Sequence, residues 1–507
     1  MLLPPSYLVL RTLGAGGEAW SLVARPRTVQ LLAQTAGLAA AVTAASALIA
    51  VPLAWLTTRT DLPLRRFWTV LTVLPLTIPS YVGGFTIVAA IGPRGLLQQA
   101  LAAPLGIDRL PDIYGFPGAW LTLTLLTYPY LLLTMRAGLR GLDPACEESA
   151  RSLGFGTWKT FWRLTLPQLR PSLAVGGLLV GLYVLGDFGA VSMLQFDSFT
   201  HAIYIQYQGA FDRTLAASFA LILVAMTGLL LVAEVRLRGS MRYHRSTGVA
   251  PRPASMLRLG RWRWPAVVYA AVVVLLALAL PVGVLGYWLV RGLARGEVIP
   301  ELQTAALNSV YVSALAAVAA TLVALPVAAL AVRYRGRIGS FVERAAYLGY
   351  ALPGIVIALA LVFFGARYAP MLYQTLPLLI IAYLVRFLPQ AVGTARGSLL
   401  QVPPLAEDAA RNLGAAPPRV LVGITIPLMA PGLVAGAALV FLTTMKELPA
   451  TLLLSPIGFG TLATKTWSAA SEAYFAQAAA PALLLVAVSA LSLLIILRGP
   501  RSRVTGP

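Results

Sequence analysis

Asp143-Pro144-Ala145-Cys146-Glu147-Glu148-Ser149-Ala150-Arg151-Ser152-Leu153-Gly154 decides how this chain is read, because it occurs twice. The second copy runs Pro403-Pro404-Leu405-Ala406-Glu407-Asp408-Ala409-Ala410-Arg411-Asn412-Leu413-Gly414. Glu148 and Asp408, Gly154 and Gly414, and Pro167 and Pro427 are each 260 residues apart. Arg136 with Arg396, Thr165 with Thr425, and Pro171 with Pro431 keep that register. The agreement marks an internal duplication with a polar loop at the centre of each half.

Each copy is punctuated as a short helix, a turn, and a second short helix that ends before Leu166-Pro167 or Ile426-Pro427. Pro144 and Pro404 suit a first helical position, where a missing N–H costs nothing. Asp143 can cap the first copy, whereas Pro403 cannot cap the second. Glu147 and Arg151, like Glu407 and Arg411, lie four apart with the acid on the favourable N-terminal side. Gly154 and Gly414 fall where a helix ends on a left-handed residue. An amphipathic helix resting on a membrane surface is the plainer alternative for the loop alone.

Composition supplies the surroundings. The chain has 507 residues, 58% hydrophobic and 11% charged, with a mean hydropathy of +0.79. Charge is too sparse to cover a soluble surface of that size, so a polytopic all-α membrane protein is expected. Apolar runs of spanning length occur near 29–56, 67–91, 118–135, 171–194 and 214–235. They recur near 265–290, 304–332, 345–365, 375–395, 428–454 and 477–497, eleven in all. Between the two sets lies a basic segment, 236–264, with eight arginines and no acid. A lone Cys146 excludes an intramolecular disulfide and any cysteine-rich metal site.

The net charge of +21 would suit nucleic acid, but its placement argues for topology. Arg59, Arg65, Arg66, the basic segment, Arg333, Arg335, Arg337, Arg344, both repeated loops, Arg498, Arg501 and Arg503 share one side. The opposite connections carry mixed charge. By the positive-inside rule the loops and the C-terminus are cytoplasmic. The basic segment could also take anionic lipid head groups.

The expected organisation is a non-spanning N-terminal tail, 1–28, external and without signal-peptide character. A first repeat (29–235), a basic cytoplasmic linker (236–264), a second repeat (265–497) and a cytoplasmic tail (498–507) follow. Upstream of the loops the halves align at 274: Pro52 with Pro326 and Pro79 with Pro353. The span at 265–290 has no partner in the first half, so either a sixth helix was lost or the natural start lies upstream of Met1, the second being the expectation. A complete repeat of six spans is even-numbered, giving parallel repeats related by an axis along the membrane normal.

Glu148-Ser149-Ala150, Gly154, Leu164, Leu166 and Pro167 resemble the EAA loop of binding-protein-dependent ABC importer permeases. Asp408-Ala409-Ala410, Gly414, Ile424, Ile426 and Pro427 fit the same spacing, with Asp for Glu and Ile for Leu. The resemblance covers nearly the whole chain as two fused permease halves, of five and six transmembrane helices. It implies a multi-pass protein of the bacterial cytoplasmic (inner) membrane, with a coupling helix in each loop seated on one of two ABC ATPase subunits. The coupling residues implied are Glu147, Glu148, Ala150, Arg151, Gly154 and Pro167 in one loop. Glu407, Asp408, Ala410, Arg411, Gly414 and Pro427 are their counterparts in the other. ATP and Mg would be used by the ATPase, with no cofactor bound by this chain and no catalysis of its own. An external substrate-binding protein would deliver the cargo.

Gly186-Asp187-Phe188-Gly189-Ala190-Val191-Ser192 and Met445-Lys446-Glu447-Leu448-Pro449-Ala450-Thr451-Leu452-Leu453-Leu454 resemble the ferric-iron branch of that family. Thiamine importers also fuse two permeases, and spermidine, phosphonate and molybdate relatives share the loop. No iron site is legible: the only histidines are His201 and His244, and carboxylates do not cluster. Iron would therefore be coordinated by the external protein. Asp187 and Glu447, 260 apart near the outer ends of their spans, are candidate lining of the translocation path; the alternative is a carboxylate that reaches interfacial water.

Gly458-Phe459-Gly460-Thr461-Leu462-Ala463-Thr464-Lys465-Thr466 lacks the glycine before Lys465 that a phosphate loop needs, and it lies on the outer side. No catalytic constellation is seen, which disfavours a membrane enzyme. A secondary transporter with two parallel repeats is the other class; it would need intramembrane ionisable groups but no duplicated cytoplasmic helix pair.

Overall fold

The computed structural model describes residues 3–14, 25–93, 95–99, 111–208, 213–238, 256–297, 301–334 and 336–498. In chain order the helices are α1 (Leu3–Gly14), α2 (Pro26–Arg59), α3 (Arg65–Leu71), α4 (Ser80–Ile91), α5 (Phe116–Gly141), α6 (Pro144–Ser152) and α7 (Thr157–Gln168). Next come α8 (Arg170–Gly186), α9 (Gly189–Met193), α10 (Phe199–Gln208), α11 (Arg213–Arg238), α12 (Gly260–Ala294), α13 (Leu302–Arg333) and α14 (Arg337–Tyr347). The last are α15 (Gly354–Tyr368), α16 (Leu376–Leu399), α17 (Pro404–Asn412), α18 (Pro417–Met445), α19 (Pro449–Leu454), α20 (Leu462–Ser471) and α21 (Phe475–Arg498).

The chain divides into two compact units that cut across the sequence repeats. One comprises Ala24–Ala202 and Ala225–Tyr287; the other comprises Met1–Val23, Ile203–Val224 and Trp288–Pro507. In the first, α2, α5 and α8 pack mutually, and α12 lies against α2. The Tyr269 hydroxyl of α12 donates to the Ile49 carbonyl at 3.1 Å. In the second unit the equivalent trio is α13, α16 and α18. There α1 packs on α15, with the Tyr7 and Phe363 rings 5.9 Å apart.

Small residues set these crossings, as expected where lipid supplies no hydrophobic drive between helices. A Cβ on Gly176 would lie 2.9 Å from the Leu131 Cα of α5, and one on Gly436 3.7 Å from the Ala391 Cα of α16. One turn earlier the partners exchange. Gly138 of α5 faces Ser172 of α8, whereas Ser398 of α16 faces Gly432 of α18.

Among the described residues eight helices are long and apolar enough to cross a membrane, or ten if each bent pair is one span. Each of the eleven stretches read from hydropathy holds an apolar helix, but three of them are not single long helices, because hydropathy does not register backbone breaks. The stretches near 67–91 and 345–365 are interrupted at Pro79 and Pro353. A proline displaces its predecessor from helical geometry: Ile78 has ψ 119° and Leu352 ψ 115°. Each break is preceded by a 3-10 turn, Leu74–Thr77 or Leu348–Ala351, and followed by a short helix, α4 or α15. Both short helices are largely apolar and buried, save for the exposed last turn of α15 at 366–368. That placement lets irregular backbone persist at membrane depth, since protein rather than lipid surrounds it.

A second break recurs at Asp187 and Glu447. There α8 and α18 stop, and the short α9 and α19 turn back onto α4 and α15. The α4–α9 contact is close: a Cβ on Gly84 would sit 3.3 Å from the Ala190 Cα.

Candidate functional site

The duplicated loops fold as paired helices with sharp ends. In the first copy Asp143 caps α6 as its position demands, its Oδ1 accepting the Ala145 N–H at 3.0 Å. Pro403 leaves α17 without a side-chain cap. Gly154 and Gly414 both have φ +84°, and no heavy atom lies within 4 Å of a Cβ built on either. The glycine requirement is therefore conformational, not spatial. The reversed turn satisfies the last carbonyls: Phe155 N–H bonds Ala150 O at 3.1 Å, and Ala415 N–H bonds Ala410 O at 3.0 Å.

One expectation fails in both copies. The second short helix does not end before Leu166-Pro167 or Ile426-Pro427, but continues through a π turn, Phe161–Thr165 or Leu421–Thr425. Leu166 N–H reaches back five residues to Phe161 O, and Ile426 N–H does the same to Leu421 O. The wider turn absorbs the proline, which has no N–H to return to the preceding turn. Pro167 and Pro427 thus lie inside helix. In the first copy the bend comes two residues later, at Leu169, where α7 and α8 meet at 65°; in the second, α18 runs unbroken from Pro417 to Met445.

At the centre of each loop is a carboxylate brace. Glu407 is buried, 5% exposed. Its Oε1 accepts from Thr425 Oγ1 at 3.0 Å and Arg333 Nη2 at 3.1 Å, and its Oε2 lies 3.4 Å from Arg411 Nη2. The same Arg333 nitrogen donates to Val402 O at 3.2 Å. Glu147 repeats the pattern more loosely: Thr165 Oγ1 donates to Oε1 at 3.1 Å, and Arg59 Nη2 stands 3.7 Å away. Arg59 Nη2 also donates to Leu139 O at 2.9 Å. Each brace links its loop helix to α2, α5 and α7 in one unit, and to α13, α18 and the chain just past α16 in the other.

The expected four-apart pair is present between Glu407 and Arg411, and Arg411 Nη1 also bonds Asp408 Oδ1 at 2.8 Å. The Glu147–Arg151 pair lies outside the described residues. Glu148 and Asp408 are exposed. Beside them stand apolar side chains that polar loops seldom display, Leu153 at 79% exposure and Leu413 at 89%. An exposed carboxylate, an exposed leucine and a rigid helix end form a surface fit to dock a protein groove.

Arg59, Arg333, Thr165 and Thr425 form the brace, yet none was singled out as a site residue from sequence. The signal was there: Arg59 and Arg333 keep the 274 register.

The other predicted pair, Asp187 and Glu447, is buried. Asp187 Oδ2 accepts the N–H groups of Ala190 at 2.9 Å and Val191 at 3.3 Å, capping α9. Glu447 Oε1 accepts the Ala450 N–H at 3.2 Å and pairs with Arg386 Nη1 at 2.9 Å. Leu126 stands where Arg386 would be in the first repeat. Among the described residues no three His, Cys, Asp or Glu side chains come together to hold a metal ion.

Residues 48–243 and 318–499 each match the family described as binding-protein-dependent transport system inner membrane component. The chain is similar to the Fe(3+)-transport system permease protein FbpB 2 of Haemophilus influenzae, 35% identical over 501 residues, 98% of this chain and 95% of that protein. Its similarity to the molybdenum transport system permease protein ModB of Escherichia coli K12 is 33% over 137 residues, 27% of this chain and 58% of that one. The sulfate transport system permease protein CysT of the same organism is 27% identical over 238 residues, 46% of this chain and 84% of CysT.

Proposed function

Because the chain belongs to the family of binding-protein-dependent transport system inner membrane components, we propose that it imports ferric iron, its two repeats acting as the two halves of one translocator. It is a multi-pass inner-membrane permease of an ABC importer. The observation that carries iron over other cargo is extent of similarity. The iron permease matches end to end, whereas the molybdate and sulfate permeases match shorter stretches.

ATP is hydrolysed on two copies of a separate ATPase subunit, and an external binding protein delivers the ion. The braced loops support this reading of the energy input. A helix tied at its centre to three neighbours transmits force as a rigid body, where a loose amphipathic helix would dissipate it. Glu148, Leu153 and Gly154, with Asp408, Leu413 and Gly414, form the two ATPase contacts. The path runs beside the broken helices, with Asp187 and Glu447 at the second break of each repeat.

Proteoliposomes carrying this chain, its ATPase and its binding protein test the reading by uptake of radiolabelled iron. ATP-dependent iron accumulation, with molybdate, sulfate and thiamine left outside, is the expected result. Accumulation of one of those solutes instead would overturn the cargo. Uptake driven by an ion gradient without the ATPase would place the chain among secondary transporters.

A further inference from the structure

The described end of the basic linker is not loose. Leu257 N–H donates to Arg59 O at 2.9 Å, and Asp61 N–H donates to Leu257 O at 3.1 Å. Asp61 Oδ1 in turn accepts the Leu259 N–H at 2.8 Å. Arg65 Nη1 stands 3.0 Å from Met256 Sδ. These bonds lay 256–259 along the chain leaving α2 and beside α3. They bring Arg65 and Arg66 to the same patch as Arg258, Arg261 and Arg263.

The nearby acid, Asp61, accepts the Leu259 N–H and keeps its single negative charge, which the five arginines of the patch outnumber. Arg66, Arg258, Arg261 and Arg263 are exposed. Between them project apolar side chains: Leu64 at 74% exposure and Trp264 at 71%, with Phe67, Met256 and Trp262. The Arg261 guanidinium lies 6.0 Å over the Trp262 ring. Alternating arginine and tryptophan at the start of a span is the chemistry of a membrane interface, where the indole enters the acyl boundary and the guanidinium remains among phosphates. The guanidinium fork also fits a phosphate's oxygens better than an ammonium would.

We infer that residues 64–67 and 256–264 form a binding site for the phosphate of an anionic phospholipid in the cytoplasmic leaflet. A soluble phosphate would not need the exposed tryptophans, phenylalanine, leucine and methionine, which suit an acyl chain beside the head group. The site is continuous with Arg59, whose carbonyl holds Leu257 and whose guanidinium stands by Glu147.

Native mass spectrometry of the full chain, released from vesicles of phosphatidylcholine and phosphatidylglycerol, tests this. The parent should retain phosphatidylglycerol preferentially, and free glycerol phosphate should not displace it. Replacing Arg258, Arg261 and Arg263 by Gln should lower that preference by about fivefold per arginine. Arg291→Gln with Arg295→Gln, on the opposite face, should leave it unchanged. Because arginines also set insertion, Trp262→Ala with Trp264→Ala provides a second arm that keeps every charge and should likewise lose the lipid. Unchanged retention in the tryptophan variant overturns the inference, as does displacement by glycerol phosphate.

Discussion

Glu407→Ala removes the acceptor on which the second loop closes. It deletes the bonds from Thr425 at 3.0 Å and Arg333 at 3.1 Å, and the 3.4 Å contact with Arg411. A hydrogen bond involving a charged partner contributes about 1.5–3 kcal/mol, and a buried charge that loses its partner costs more. Arg333 is 22% exposed and keeps the Val402 carbonyl, so water and backbone recover part of the loss. The expected cost is about 2–4 kcal/mol for opening α17 from its three neighbours. Amide exchange across 404–412 reads that opening, and the ratio of ions transported to ATP hydrolysed reads its consequence. Exchange should speed by about thirtyfold or more, and transport should fall while hydrolysis continues. A cycle with Arg333→Ala should show an interaction of about 1.5–3 kcal/mol. The 3.7 Å separation of Arg59 and Glu147 predicts a smaller value, about 1 kcal/mol, in the first loop. A null interaction at Glu407, or a parental transport ratio in Glu407→Ala, would refute the brace as the element that carries force.

Gly154→Val and Gly414→Val place a β-branched residue at φ +84°; each should cost at least about 1–2 kcal/mol locally and uncouple transport while the protein still inserts. Normal ATPase capture together with parental transport would remove these glycines from the coupling role. At the N-terminal ends of α13 and α20, the Lys465 ammonium, 2.7 Å from Glu301, holds that carboxyl below its ordinary range. A depressed folded pKa adds stability above the unfolded value of about 4.5 that is lost as pH falls through the folded one. Lys465→Met should therefore remove a small stabilisation at neutral pH and leave stability below the folded pKa unchanged, which flattens the acid limb of the thermal-stability profile; a limb as steep as the parent's would exclude the pair as its source. Spin labels at Ser152 and Asn412 should approach when ATP is trapped on the ATPase, while labels at Ser192 and Leu452 separate. Distances that change in the same sense would contradict alternating access.

The loops were the most legible part of the chain because duplication reports geometry twice. Asp143 as a cap and Gly154 and Gly414 as left-handed terminators follow from residue type alone. The brace was hidden by a correct but incomplete explanation: Arg59 and Arg333 satisfied the positive-inside rule, so nothing demanded a second role for them. Proline misled in one place and was under-read in another. At Pro167 and Pro427 residue type predicts a helix end, yet a π turn accommodates the proline. At Pro79 and Pro353 it lay in apolar runs whose hydropathy is the same for a straight helix and a broken one. Burial of α4 and most of α15, which makes those breaks tolerable, depends on neighbours distant in sequence.

The serine and glycine that meet where α8 crosses α5, and α18 crosses α16, have traded places between the repeats. Gly138 opposes Ser172, and Ser398 opposes Gly432, at positions 260 apart. What descent from a common half has retained there is a volume shared across the gap, with the ownership of each residue free to switch. An ancestor with two identical halves would have had to change both crossings at once, whereas one fused gene lets each crossing drift and be repaired alone. Gly138→Ser should therefore be damaging by itself and be rescued by Ser172→Gly, which rebuilds in the first repeat the arrangement the second already carries.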